Sequence, residues 1–180
     1  MTMPILSDDL IARVSGLIAD YITTQRNTYI HRAIPLTTYQ TAAMAGFFTP
    51  QLLDETRLLV LNDERVANPD FYSMLRQIGF NDLPDQSAMA AITFADCVVS
   101  HRPFTEGLLF HELVHVEQFH QLGVPRFADL YLRGFLNRGS YFEIPLERFA
   151  YALGEQYENN PARHFSVADE VARWVSEGRF

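Results

Sequence analysis

The chain has 180 residues, of which 48% are apolar and 20% are charged, and its formal net charge is −8. This length is typical of one domain that can bury a core, and the composition argues against a disordered or fibrous chain. The acidic balance argues against a general nucleic-acid binder, because no basic surplus is available to neutralise phosphates.

Cys97 is the only cysteine, which excludes an intrachain disulfide framework and a cysteine-rich zinc ribbon. Its apolar sequence neighbours favour a buried, unreactive thiol. Residues 1–9 show no basic segment before an apolar one, and no run of about 18 apolar residues occurs. We therefore expect a cytoplasmic protein without a signal peptide or a membrane span.

The first 85 residues are predicted to form an N-terminal region of helices and one strand. Ser7 is a predicted N-cap, and apolar residues at helical spacing over 10–22 predict an amphipathic helix. Three weaker elements follow: a helix over 37–47 ended by Thr49-Pro50, a strand over 57–62 and a helix over 70–78.

The second half is predicted to contain one strand and four helices. Residues 90–100 are rich in β-branched residues, which predicts a strand. The helices are predicted over 105–122, 126–137, 145–159 and 166–175, with a turn over 138–140. The whole chain is therefore predicted to be one α+β domain, mostly α, with a core over 88–160 and a C-terminal helix over 165–177.

His111 and His115 enclose the sequence HELVH, which matches the zinc-binding pattern HExxH. Each residue of a helix turns about 100°, so both imidazoles lie on one face and can bind one ion. Glu112 can reach a water on that ion and act as general base. A pair of purely structural histidines is the alternative, and ligand types alone leave iron or manganese open.

A zinc site of this kind needs a third protein ligand. The metzincin pattern requires Gly at position 118 and His at position 121, but this chain has Gln118 and Gln121, which excludes that class. His120 points to the far side of the helix from His111. Gln118, one turn beyond His115, lies near the ligand face and is a candidate partner of a ligand histidine.

Glu147 is the preferred third ligand. Pro145 suits the first turn of a helix, which places Glu147 in that turn beside an apolar face. Glu143 is the alternative, although its position before Pro145 places it in a loop. The 31 residues between His115 and Glu147 leave room for one intervening helix and a return.

The HELVH motif, with Glu147 and then Ala150-Tyr151, resembles the compact gluzincin-like zinc metallopeptidases. It is most similar to small bacterial zincin-like proteins that carry HELxHxxQ and then a P-x-E-x-x-A-Y helix. The resemblance covers about residues 90–157. It implies a zincin-like domain, a peptide or protein substrate, Zn²⁺ as cofactor, Glu112 as general base and three ligands, His111, His115 and Glu147.

The resemblance also suggests residues around the metal. Tyr151 stands where thermolysin-type enzymes have an aspartate that orients a ligand histidine. In zincins the strand before the motif helix pairs with an extended substrate, which makes Thr93, Ala95 and Cys97 the substrate-strand candidates. No motif identifies the donor to the oxyanion, for which the candidates are Tyr141, Tyr151, His31, His101 and His164.

These features together predict a zinc-dependent peptidase that cleaves peptide bonds with an activated water. Two alternatives remain open at this stage. One is a non-catalytic protein of the same fold that binds a metal or a partner, and the other is a hydrolase of non-peptide bonds. The oligomeric state is open as well.

Overall fold

The structure, a computed structural model, describes residues 6–138 and 141–179. Within these residues seven α-helices pack around a small four-stranded mixed sheet, which confirms the predicted α+β, mostly α class. No helix in the described part is long and apolar enough to cross a bilayer. The last two residues of the turn predicted over 138–140 lie outside the described residues.

The helices are α1 (Asp8–Tyr29), α2 (Thr38–Met44), α3 (Pro50–Glu55), α4 (Tyr72–Gln77), α5 (Glu106–Arg138), α6 (Pro145–Asn159) and α7 (Val167–Ser176). The strands are β1 (Ile34–Pro35), β2 (Arg57–Val60), β3 (Ala91–Phe94) and β4 (Cys97–Ser100). They lie in the order β1-β2-β4-β3, in which β2 and β4 are parallel and the two outer pairs are antiparallel. Among the described residues β3 is therefore an edge strand.

Side-chain caps mark the start of most of the described helices, including one start that the sequence prediction treats as a helix end. Ser7 caps α1 as predicted, and its side chain accepts a hydrogen bond from the backbone N–H of Leu10. Thr49-Pro50, predicted to end a helix, instead begins α3, because Thr49 accepts from the N–H of Leu52 and proline occupies the first turn. Proline is well tolerated there because its missing N–H would have no partner within the helix.

The single strand predicted over 90–100 is wrong. The chain reverses at Ala95 and Asp96, so that β3 and β4 form a hairpin in which Phe94 pairs with Cys97. Ala95 adopts the left-handed conformation with φ 58°. Asp96 accepts hydrogen bonds from the guanidinium of Arg26 at 2.7 and 2.8 Å. An Ala-Asp pair lacks the glycine typical of a tight hairpin turn, which is why the two strands looked continuous.

The long helix α5 contains the two helices predicted over 105–122 and 126–137, joined across a break at Gly123. Thr105 caps its first segment by accepting from the N–H of Leu108. Gly123 has φ 73° and ψ 159°, a backbone conformation that side-chain-bearing residues rarely adopt. The first segment is central, and α5 contributes apolar side chains to both clusters of the core. Buried polar side chains on it therefore need partners inside the protein.

Candidate metal centre

Two imidazole nitrogens and one carboxylate oxygen meet where α5 and α6 pack together. His111 Nε2 lies 3.1 Å from His115 Nε2. Glu147 Oε2 lies 3.4 Å from the nitrogen of His111 and 3.3 Å from that of His115. His115 and Glu147 are buried and His111 is half-buried. These three residues form a cluster that could hold a metal ion.

The spacing of the three atoms fits tetrahedral coordination. Ligand atoms bound tetrahedrally at about 2.0–2.1 Å lie about 3.3–3.4 Å from one another. In the described part of the chain, Glu147 Oε2 is also the one fully buried side-chain oxygen or nitrogen without a hydrogen-bond partner. The imidazoles approach it at ion-pair distance but without hydrogen-bond alignment. A buried carboxylate oxygen without a hydrogen bond is costly, and a bound cation would remove that cost.

The charges in the cluster favour a cation. Burial acts to lower the pKa of His115, but the carboxylate of Glu147 and, to a lesser degree, that of Glu112 outweigh burial and raise it to about 9. Burial acts in the opposite direction on Glu147, and the two histidines outweigh it, so the pKa of this carboxyl lies well below its usual range. Glu147 is therefore ionised, and its negative charge attracts either a proton on His115 or a metal ion.

Both helices present their ligands for simple geometric reasons. His111 and His115 are four residues apart on the regular first segment of α5, so their rings lie one above the other. Pro145 begins α6 and leaves Glu147 in its first turn. Gly134 of α5 lets this end of α6 approach closely, because a Cβ at position 134 would lie 2.7 Å from Pro145 Cδ.

Gln118 connects the two helices through a ligand histidine. Its Oε1 lies 2.8 Å from His115 Nδ1, and its Nε2 donates to the carbonyl of Leu146 at 3.1 Å. Because the amide oxygen can only accept, His115 carries a proton on Nδ1 and turns Nε2 towards Glu147. The side chain of Gln118 is fully buried. The structure thus places this predicted partner beside His115.

Tyr151 lies beside the other histidine but contacts it with its ring. The two ring centroids are 4.4 Å apart and the planes are tilted by 45°. Tyr151 is 46% exposed. No hydrogen bond from its hydroxyl to a ligand histidine is found among the described residues. The role expected from the resemblance, orienting a ligand through the hydroxyl, therefore has no hydrogen bond to support it.

Glu112 lies between two spaces of different character. An open cleft of about 850 Å³ is bordered by His111, Tyr151 and the start of α5. A smaller, mostly apolar chamber of about 120 Å³ is bordered by His115 and Glu147. Glu112 lines both spaces, although it is buried. A group bound in the cleft would therefore meet Glu112 and the metal cluster together.

Glu112 also has a partner on the edge strand. Thr93 Oγ1 lies 2.7 Å from Glu112 Oε2 and 3.3 Å from the backbone carbonyl oxygen of the same residue. Both side chains are buried. A carboxylate only accepts, so the hydroxyl donates. The sequence prediction missed this contact, since no motif links a strand threonine to a helix glutamate.

Tyr141 is placed differently from the other oxyanion candidates. It lines both the cleft and the chamber. Burial and the nearby carboxylate of Glu147 raise the pKa of Tyr141 far above its usual range, so its hydroxyl remains a neutral donor. His31, His101 and His164 line neither space. His101 instead links two other segments, since its Nδ1 contacts the carbonyl of Met89 and its Nε2 accepts a hydrogen bond from the N–H of Val66.

Glu143, the alternative third ligand, and His120, which the helix geometry excludes, both lie outside the cluster. Glu143 is exposed, and its carboxylate lies 3.8 Å from the guanidinium of Arg148. The side chain of His120 is 60% exposed, with Nδ1 3.8 Å from the carboxylate of Glu117. Neither residue belongs to the group of potential ligands that surrounds His111.

Only one of the three substrate-strand candidates lies on an edge strand. Thr93 is in β3, whereas Ala95 is in the turn and the fully buried Cys97 is in β4. Strand β4 is paired with β2 on one side and β3 on the other, so it has no free edge for a substrate. Ala95 and Cys97 are therefore wrong as substrate-strand residues, because the predicted strand is a hairpin.

Comparison of the chain with protein-family models, curated proteins and solved structures finds no match. The class of the site is therefore defined by its residues alone. Two histidines and one glutamate from two packed helices form a potential metal-binding cluster, with a second glutamate and an open cleft beside it. The family resemblance of the motif stays a prediction.

Proposed function

We propose that this protein is a zinc-dependent hydrolase of the gluzincin-like type that cleaves peptide bonds. The observation that carries the proposal is the cluster of His111, His115 and Glu147, whose spacing fits a tetrahedral ion and whose carboxylate oxygen Oε2 lacks a hydrogen-bond partner. Two nitrogens and one oxygen form a common ligand set of catalytic zinc sites, which keep a fourth position open. When bound, zinc supplies a Lewis acid that acidifies water and polarises a carbonyl group.

In the proposed reaction Glu112 moves the proton. Its carboxylate accepts a proton from the water whose oxygen attacks the carbonyl carbon of the peptide bond. The carbon–nitrogen bond then breaks, and Glu112 returns the proton to the leaving amine. The products are a carboxylate and an amine. Glu112 suits this role because it lines the cleft and the chamber on either side of the cluster.

A peptide is the proposed substrate because the cleft borders an edge strand. Residues 88–91 line the cleft and lead directly into β3. The backbone groups of an edge strand can pair with an extended peptide, which positions it without regard to its side chains. Tyr141 supports the proposal as a neutral hydroxyl between the two spaces, where it can donate to the carbonyl oxygen.

The test separates metal binding from turnover. We expect purified protein to contain about one zinc ion per chain, and to cleave a peptide library in a reaction that a chelator stops and added zinc restores. Glu112→Gln should keep the zinc and lose turnover by a factor of about 100 or more, while His111→Ala should lose both. Glu117→Gln is the matched control and should keep both zinc and turnover, since Glu117 is buried on the same helix but accepts a hydrogen bond from Gln121.

Two results would contradict the proposal. If Glu112→Gln cleaves peptides as fast as the unchanged protein, Glu112 is not the base. If the protein binds zinc but cleaves no peptide, the alternative of a non-catalytic metal-binding or partner-binding protein replaces it.

A further inference from the structure

The hydrogen bond between Thr93 and Glu112 is directional. The hydroxyl of Thr93 has one proton, and the contact to Glu112 Oε2 at 2.7 Å is much shorter than the contact to the backbone carbonyl at 3.3 Å. The proton is therefore shared mainly with the carboxylate. Among the described residues no other side chain hydrogen-bonds this carboxylate. The hydrogen bond from Thr93 is therefore the polar contact that orients this carboxylate.

The position of Thr93 in the sheet makes this contact rigid. Thr93 is an inner residue of β3 and pairs with Val98 of the buried strand β4. β-Branched side chains have restricted χ1 rotamers, so the hydroxyl has little freedom to turn away. The hydrogen bond therefore fixes the Glu112 carboxylate relative to the sheet, while the helix α5 fixes its backbone.

Because Thr93 donates a hydrogen bond to one oxygen of the Glu112 carboxylate, the two oxygens are no longer equivalent. Oε2 accepts from the hydroxyl, which lowers the basicity of that oxygen and makes Oε1 the better proton acceptor of the two. We propose that Thr93 is a positioning residue, which holds the Glu112 carboxylate so that Oε1 faces the water to be activated. This inference rests on the proposed function, because it assigns Thr93 to the same reaction.

The first experiment compares two substitutions of Thr93. Thr93→Val keeps the shape and removes the hydroxyl, and we expect it to lower kcat on the order of 10-fold or more. KM should change less than about two-fold and the zinc content should not change, because neither a ligand nor the cleft lining is altered. Thr93→Ser retains the donor and should restore most of kcat.

A matched control excludes a general effect of losing a buried hydroxyl. Thr56 is also fully buried, its hydroxyl donates to the carbonyl of Leu52 at 2.7 Å, and it lines neither the cleft nor the chamber. Thr56→Val should leave kcat unchanged even where it lowers the melting temperature. The inference fails if Thr93→Val is as fast as the unchanged protein, if Thr93→Ser is as slow as Thr93→Val, or if the loss follows loss of zinc.

A second measurement does not depend on activity. The melting temperature of metal-free protein is measured for Thr93→Val, Glu112→Met and the double variant. We expect Thr93→Val to lower it by about 2–4 °C in the unchanged protein and by much less when Glu112 is already replaced. Additive shifts would overturn the contact. Absence of peptide cleavage by the unchanged protein would instead overturn the proposed function, while this cycle still decides whether Thr93 holds Glu112.

Discussion

Replacing Gln118 tests whether a buried amide controls the metal cluster. Gln118→Met keeps the length of the side chain but removes the acceptor for His115 Nδ1–H and the donor to the carbonyl of Leu146. Each buried group left unpaired costs about 1–3 kcal/mol of folding free energy. Loss of the partner of a ligand histidine lowers metal affinity by about 10–100-fold, or about 1.4–2.8 kcal/mol.

The assay measures the zinc dissociation constant by competition with a coloured chelator, and separately the unfolding of metal-free protein. Gln121→Met is the matched control. Gln121 lies on the same helix and also makes two hydrogen bonds, to Glu117 at 2.6 Å and to the carbonyl of Ala168 at 2.9 Å. We expect both variants to be less stable but only Gln118→Met to bind zinc more weakly. Equal zinc affinity in Gln118→Met and the unchanged protein would refute the reasoning.

Three further predictions follow from single contacts. The pKa of His115 is raised to about 9, so its imidazole is protonated at pH 7, and zinc binding should release about one proton. Calorimetry in buffers of different ionisation enthalpy measures this proton release. A binding heat that does not depend on the buffer would contradict the prediction. The bonds from Arg26 lower the pKa of Asp96, whose contribution of about 1 kcal/mol is present above its unfolded pKa of about 3.9 and is lost as the pH falls through its lower folded value. Asp96→Asn should therefore be the less stable protein at pH 7, and the difference in stability should shrink as the pH falls below about 3.9. A difference that does not change with pH would count against the ion pair. Gly134→Ala should lower the zinc affinity and should lower the stability by about 1–2 kcal/mol, because its Cβ would lie 2.7 Å from the proline that begins α6. The control is Gly16→Ala, whose Cβ meets nothing within 4 Å, and which should stabilise the protein by about 0.5–1 kcal/mol.

The parts of the fold that the sequence predicted well are those determined by local geometry. The helix α6 begins at the predicted Pro145 and ends at the predicted Asn159 because proline fixes the first turn and apolar spacing continues from it. The hairpin and α3 were missed because their signals are ambiguous. An Ala-Asp turn carries no glycine, and a Thr-Pro pair can either end one helix or begin the next.

The same distinction applies to the site. The spacing of His111 and His115 is a property of one helix and was visible in the sequence. Which tyrosine lines both the cleft and the chamber, and which strand residue holds Glu112, depend on how β3 and the segment before α6 pack against α5. No spacing along the chain records those contacts, so the sequence predicts substrate binding for Thr93 and leaves Tyr141 as one of five candidates for the oxyanion donor.

Glu147 could be predicted only in part: the sequence indicates its helix, but not the distance of its carboxylate from the two histidines. Two contacts between α5 and α6 lie next to Glu147 and help to set that distance: the hydrogen bond from Gln118 to the carbonyl of Leu146, and the close approach of Pro145 to Gly134. Both act within two residues of Glu147. The ligand is therefore placed by the packing of two helices, and a metal held by all three ligands would in turn hold the helices together. Zinc at 100 times its dissociation constant would add about 2.7 kcal/mol to the stability of the fold, and Gln118→Met and Gly134→Ala should reduce that gain while Gln121→Met should not.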